Sequence, residues 1–391
     1  MASDLSDRRG LPAGRTFATN RPDPPGEVVL EVRRLAVTFG AGSGAIQAVR
    51  DVSYALRRGE CLGIVGESGS GKSVSASALL GLLGRDARVE GSVVLNGRDA
   101  LALGAEELRS LRGSEISMIF QEPSRSFDPI YSIGKTFEET LRAKDRTVSR
   151  DQAIARAARL LSEVHIPHAE ERLRNFPHQF SGGMLQRIMI ALSLANDPEV
   201  LIADEPTTAL DVTIQAQIVA LLKELQVRRR LSLIFISHDL GLVGQIADRI
   251  LVMYGGIVLE IGPAREVLTA PCSPYTRALL RSLPSWGSHY SREALSTIPG
   301  GVPDPSQPEP GCPFAPRCPL LRDECVREMP PMQSTDRELQ SPAAAGGLLP
   351  RQSDAGGAFA AEGEPRYDPG GVESHPGRAH EYRCVVPGVK S

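Results

Sequence analysis

No run of eighteen uncharged apolar residues occurs in the sequence, so no segment is suited to cross a bilayer as a helix. Net charge is nearly absent: 44 Lys+Arg against 47 Asp+Glu give −3. A general nucleic-acid binder carries a basic excess to displace counterions from phosphates, so that class is excluded. Aromatic residues are scarce, at 5% of 391 residues with a single Trp. The first 26 residues contain four prolines with Asp4, Asp7, Arg8 and Arg9, and lack the apolar stretch of a secretory signal. A cytosolic chain with a disordered tail over 1–26 is expected. Its six cysteines are then expected to stay reduced rather than form a disulfide framework.

With 41% hydrophobic residues, the chain has enough apolar material for a sizeable core. Apolar runs at Val28–Val32, Cys61–Val65, Ser117–Phe120, Val200–Ala203, Leu233–Ile236 and Ile250–Met253 are bounded by turn residues. Several lack polar alternation, as strands buried on both faces should. Helical patterns lie between them at Arg150–Val164, Met184–Leu194 and Val212–Arg229, the last with Asp211 as its N-cap. The alternation predicts an α/β domain over 27–265 with a mainly parallel sheet. Beyond it, residues 266–391 form a Cys- and Pro-rich extension. More than half of Ser341–Ala379 is Gly, Ala or Pro, so a flexible insertion is expected over about 333–379.

Gly66-Glu67-Ser68-Gly69-Ser70-Gly71-Lys72-Ser73 fits G-x-x-x-x-G-K-[ST], directly after an apolar strand and before a helical pattern that opens at Val74. Glycines let the backbone curl so that successive N–H groups face phosphate oxygens, and the helix N-terminus adds positive potential. In such a loop Lys72 would bridge the β- and γ-phosphates and the Ser73 hydroxyl would ligate Mg²⁺. A second apolar strand ends in Asp204-Glu205. Asp204 suits the Mg²⁺ shell, and Glu205 is placed to polarise an attacking water.

Between these halves lies Phe180-Ser181-Gly182-Gly183-Met184-Leu185-Gln186-Arg187, which closely resembles the signature sequence of ABC transporter ATPases. Other pieces follow that family's order: Gln121 resembles the Q-loop glutamine, Ala209-Leu210-Asp211 the D-loop, and His238 the switch histidine. The resemblance implies an ABC-type P-loop ATPase with a RecA-like core sheet, an antiparallel β subdomain and a helical subdomain over about 122–190. It further implies ATP and Mg²⁺ as ligands, with Phe39 against adenine and Glu205, His238 and Gln121 in catalysis. Two such domains would close head to tail, so that Ser181, Gly182, Gly183, Met184 and Gln186 meet the partner's nucleotide.

Phe176–Met184, Ile202–Thr213 and Gly311–Pro319 narrow the resemblance to the dipeptide/oligopeptide importer ATPases, within them to the first of two paralogous subunits. The implied setting is peripheral, on the cytoplasmic face of the inner membrane, with a paralogous ATPase, two permeases and an extracytoplasmic peptide-binding protein. Glu122–Gly134 is the expected permease contact. Nickel chelates, glutathione or another small solute are alternative cargoes, and a non-transport ABC ATPase is a remote one. Leu185 departs from the family's usual Arg, and the insertion before Cys384 is unusually long. Cys312, Cys318, Cys325 and Cys384 leave three readings open: a [4Fe–4S] cluster, which the resemblance favours, a tetrahedral Zn²⁺, or free thiols.

Overall fold

In the computed structural model, residues 26–283, 297–335 and 380–385 are described. The expected N-terminal tail and nearly all of the insertion lie outside them. Among the described residues twelve strands form in chain order: β1 (Val28–Phe39), β2 (Ile46–Arg57), β3 (Cys61–Val65), β4 (Ala87–Leu95), β5 (Arg98–Asp99) and β6 (Ile116–Ile119), then β7 (Val200–Asp204), β8 (Ser232–Ser237), β9 (Arg249–Tyr254), β10 (Ile257–Pro263), β11 (Met332–Ser334) and β12 (Glu381–Arg383). They pair in the order β5-β4-β1-β2-β10-β9-β3-β8-β7-β6, and β12 joins β10 to β11.

Strands β9, β3, β8, β7 and β6 are parallel, as the apolar runs predicted. The two-residue period of a strand divides them between two cores. Val65, Leu201, Ala203, Leu233 and Phe235 face one cluster, and Leu62, Ile64, Val200, Ile202, Ile234 and Ile236 face the other. Burial on both faces explains why these runs carry no polar alternation.

The sheet departs from a mainly parallel plan at its other end. There β1, β2 and β4 pair antiparallel, and β1 runs on to Phe39 rather than stopping at Val32. Exposed Arg33 and Arg34 sit in its middle, at a register shift, so the apolar signal breaks where the strand does not. Gln333 and Ser334 belong to β11, so the expected insertion does not begin at 333.

Between β6 and β7 the chain is helical. Ile133–Lys144 packs on Arg150–Glu163, which packs on the helix Gly182–Ser193, and Phe137, Leu141, Ala157 and Leu160 are buried in the core they share. Ser149 caps the second of these in a reciprocal box with Gln152. No helix among the described residues is long and apolar enough to cross a membrane.

Candidate functional site: a phosphate loop facing two carboxylates

The site is assembled by strand register. Val65 of β3 lies beside Ser237 of β8, Ile236 beside Asp204 of β7, and Ala203 beside Ile119 of β6. The residues that follow these carboxyl ends therefore share one edge of the sheet: Gly66, His238, Glu205 and Gln121. Ligand sites of open α/β sheets form at such an edge.

The loop 66–73 curls through three glycines with positive φ: Gly66, Gly69 and Gly71. Gly71 is left-handed (φ 94°, ψ 3°) and precedes the helix Lys72–Leu79, whose Ser75 N–H donates to the Gly71 carbonyl at 2.8 Å. Lys72 Nζ donates to the carbonyls of Gly66 (2.8 Å) and Glu67 (3.0 Å). Burial lowers the pKa of Lys72, opposed by Glu205, Asp204 and Glu67. Ser68 and Gly69 are exposed at the tip, Ser70 is buried, and Ser73 and Val74 open the helix.

Ser73 Oγ donates to Asp204 Oδ1 at 2.9 Å, joining the two elements that sequence order separates by 131 residues. Burial raises the pKa of Asp204, the Ser73 bond opposes this, and neighbouring Glu205 adds to the rise. A buried carboxylate beside a hydroxyl and an ammonium suits a hard cation that also touches phosphate. Glu205 Oε2 accepts from Gln121 Nε2 (3.2 Å) and Thr208 Oγ1 (2.9 Å), and lies 3.5 Å from His238 Nδ1. Glu205 and Ala209 both hold positive φ without being glycine. Strain of that kind persists where surrounding contacts dictate it, and it concentrates at functional sites.

Phe39 ends β1 opposite Ile46 of β2, whose Ala48 carbonyl backs Gly71. Ser181 caps the helix Gly182–Ser193 by accepting from Met184 N–H at 3.3 Å, and both Ser181 and Gly182 are exposed. Asp211 caps Val212–Arg229 as expected, accepting from Ile214 N–H at 3.0 Å.

Gln186 corrects the expected set. It lies five residues beyond Ser181, about 140° around the helix, and only 1% of it is exposed. It therefore does not share the outward surface of Ser181. Leu185 is buried too, so an apolar residue there joins the core. Sequence reasoning also missed Thr208, Tyr275 and Arg317. Tyr275 Oη accepts the Glu67 N–H at 3.0 Å, and Arg317 Nη1 donates to Glu67 Oε2 at 2.8 Å. The Thr-Thr pair after Glu205 was a usable signal; the other two carry none until the extension folds back.

Apart from Cys61, which is buried in the core, the cysteines fall into two groups. Cys312, Cys318, Cys325 and Cys384 are close enough to affect one another: burial pushes Cys312 up to about 11, and the other three push it in the same direction. Among the described residues no three of these sulfurs lie within 4.8 Å of one another. Tetrahedral zinc, with bonds near 2.3 Å, would bring them to about 3.8 Å. Cys272 instead joins Glu260 and His380, whose Nε2 meets Glu260 Oε1 at 2.6 Å.

A phosphate loop, a serine–aspartate pair and a hydrogen-bonded glutamate on one sheet edge, together with a helix that starts at Ser-Gly-Gly, define a P-loop ATPase of the ABC class. The pattern described as "ABC transporter" matches residues 49–208, and that described as "Oligopeptide/dipeptide transporter, C-terminal region" matches 259–325. The oligopeptide transport ATP-binding protein OppD of Salmonella typhimurium is 46% identical over 317 residues, 81% of this chain and 93% of that protein. The dipeptide transport ATP-binding protein DppD of Lactococcus lactis is 49% identical over 292 residues, 74% and 83% respectively. In structure, the ATP-binding cassette MJ0796, solved as a dimer after hydrolysis with ADP and Pi, matches with TM-score 0.54 and 28% identity. That match covers 60% of this chain and 99% of the other. The chain belongs to the ABC ATPases, in the family of oligopeptide/dipeptide transporter ATP-binding proteins.

Proposed function

We propose that this protein hydrolyses ATP to drive import of di- and oligopeptides, as the ATPase subunit of a membrane transporter. The observation that carries the reading is the meeting of Lys72, Ser73, Asp204, Glu205, Gln121 and His238 at one edge of the sheet. Loop N–H groups and Lys72 take the phosphates. Ser73 and Asp204 take Mg²⁺, and Glu205 accepts the proton of an attacking water that Gln121 and His238 help to hold. Phe39 stacks on the base.

Hydrolysis needs two cassettes. Ser181 and Gly182 stand exposed at a helix N-terminus, with Gly183 half-buried against Ile214 behind them, an arrangement suited to the γ-phosphate held by a partner. ATP binds the closed pair better than the open one, so binding closes it and hydrolysis releases it. The partner is a paralogous ATPase, and two permeases dock on Glu122–Gly134, where Ile130 and Tyr131 stand exposed. The assembly sits on the cytoplasmic face of the inner membrane and receives peptide from an external binding protein.

With no three of their sulfurs within 4.8 Å of one another, Cys312, Cys318, Cys325 and Cys384 fit a [4Fe–4S] cluster better than one zinc ion, and they would hold it as thiolates. Such a cluster would brace the extension.

The test is ATP hydrolysis by the reconstituted transporter in vesicles. Peptide-loaded binding protein should accelerate it several-fold. Acceleration by nickel chelates or glutathione, with none by peptides, would overturn the cargo while keeping the ATPase.

A further inference from the structure

The extension folds back onto the phosphate loop. A short turn, Ala315–Arg317, lies between Cys312 and Cys318 and carries Arg317 into the body of the protein, where 7% of its side chain stays exposed. Its guanidinium spends its donors on fixed acceptors. Nη1 reaches Glu67 Oε2 (2.8 Å) and Tyr254 Oη (3.0 Å), Nε reaches the Pro299 carbonyl (2.9 Å), and Nη2 the Ile298 carbonyl (3.1 Å). Phe314 of the same turn packs on Tyr254 and Tyr275, with ring centroids 5.5 and 5.2 Å apart. Tyr275 in turn accepts the Glu67 N–H, and the Glu67 carbonyl accepts from Lys72 Nζ.

Glu67 is therefore gripped by side chain and backbone from outside the loop, while its carbonyl aims Lys72. Two further contacts of the extension lie close by. Pro313 lies against Gly255, beside Gly256, whose N–H donates to the Ser70 carbonyl at 3.2 Å. Arg50 of β2 donates to the Glu309 carbonyl at 2.9 Å.

We infer that Arg317 is a positioning residue for the nucleotide site: through Glu67 it sets the phosphate loop and Lys72, so that the cysteine-bearing extension controls ATP affinity. The inference rests on the nucleotide-site reading of the loop. A planar fork with several simultaneous acceptors is a task for Arg that Lys performs poorly. With 7% and 23% of the two side chains exposed, the pair is also screened less than a surface pair would be.

The experiment titrates Mg-ATP onto the full-length protein and onto Arg317→Ala, Arg317→Lys, Glu67→Gln and the Arg317→Ala/Glu67→Gln double variant, with melting temperatures recorded beside each. Arg317→Ala should bind about tenfold more weakly, the factor equivalent to about 1.4 kcal/mol, with Arg317→Lys in between. In the Glu67→Gln background the same change should cost less than about twofold, because the coupled partner has gone. In the assembled transporter KM should rise while kcat falls by less than about threefold. Wild-type affinity in Arg317→Ala, or independent multiplied losses in the double variant, would overturn the inference. If Arg317→Ala does not fold, the Arg317→Lys titration and its cycle with Glu67→Gln decide. Lys72→Ala separates the two claims: if it too binds normally, the nucleotide site itself is wrongly assigned, and if it alone loses ATP, only the role of Arg317 fails.

Discussion

Adding one methyl group to Gly71 should damage this protein more than adding the same group to Gly69. Both glycines hold left-handed backbone, φ 94° and 79°, so alanine at either pays about 1–2 kcal/mol of conformational strain. The surroundings differ. A Cβ on Gly69 meets nothing within 4 Å, whereas on Gly71 it overlaps the carbonyl oxygen of Ala48 in β2 and presses on Val49. The carbonyl must retreat by roughly an ångström, and β2 is held by its ladder with β1. Overpacking of that kind adds about 1–3 kcal/mol. At 2–4 °C per kcal/mol for a domain of this size, Gly71→Ala should melt roughly 2–12 °C below Gly69→Ala without nucleotide. Displacing the turn that opens the helix also moves Lys72, and an error of about 1 Å in such a site costs on the order of 10²-fold in rate. Calorimetry and ATPase assays of both variants check this. Equal melting temperatures would refute the packing argument, and wild-type hydrolysis in Gly71→Ala would refute the loop's role.

Lys72→Ala should weaken ATP binding by about 10- to 100-fold, the worth of hydrogen bonds to charged groups, as read by titration with a fluorescent analogue. His380 supplies a pH signature. Burial alone would lower its pKa, but bonds to Cys272, Glu260 and Glu266 outweigh that and raise it to about 11. Against an unfolded value near 6.5, its stabilising contribution is complete below about pH 6.5 and is lost as the pH climbs to about 11. His380→Gln removes the cation beside the buried Glu260, leaving it only the Cys272 and Ser273 N–H donors, and should cost about 3 kcal/mol near neutrality. It should also flatten the fall in melting temperature between pH 7 and 10. An unchanged slope would show that His380 does not carry the pH dependence.

Much of the core was legible because its residues leave no choice. Five largely apolar runs read as strands covered on both faces, and four of them lead into Gly66, Gln121, Glu205 and His238. Glycine, lysine and carboxylate patterns then named the chemistry. The antiparallel strands were harder: β1 is interrupted by Arg33 and Arg34, and β12 is three residues whose pairing with β10 depends on a distant return of the chain. Gln186 was misread because a motif was taken as a contiguous surface, whereas a helix turns every third or fourth residue inward. Arg317 and Tyr275 were invisible for a related reason. Their partner Glu67 is 250 and 208 residues away, and no local pattern marks a contact of that range.

The central claim is that Glu205 fires ATP hydrolysis and that this hydrolysis moves peptides inward. It is tested most directly by uptake of labelled di- and oligopeptides into cells lacking other peptide importers, carrying either wild-type protein or Glu205→Gln at equal expression. The carboxamide keeps the shape of the side chain but cannot take a proton from water, so uptake should fall by about 10²-fold or more while ATP binding survives. Undiminished uptake in Glu205→Gln, or no peptide uptake by the wild type, would contradict the account.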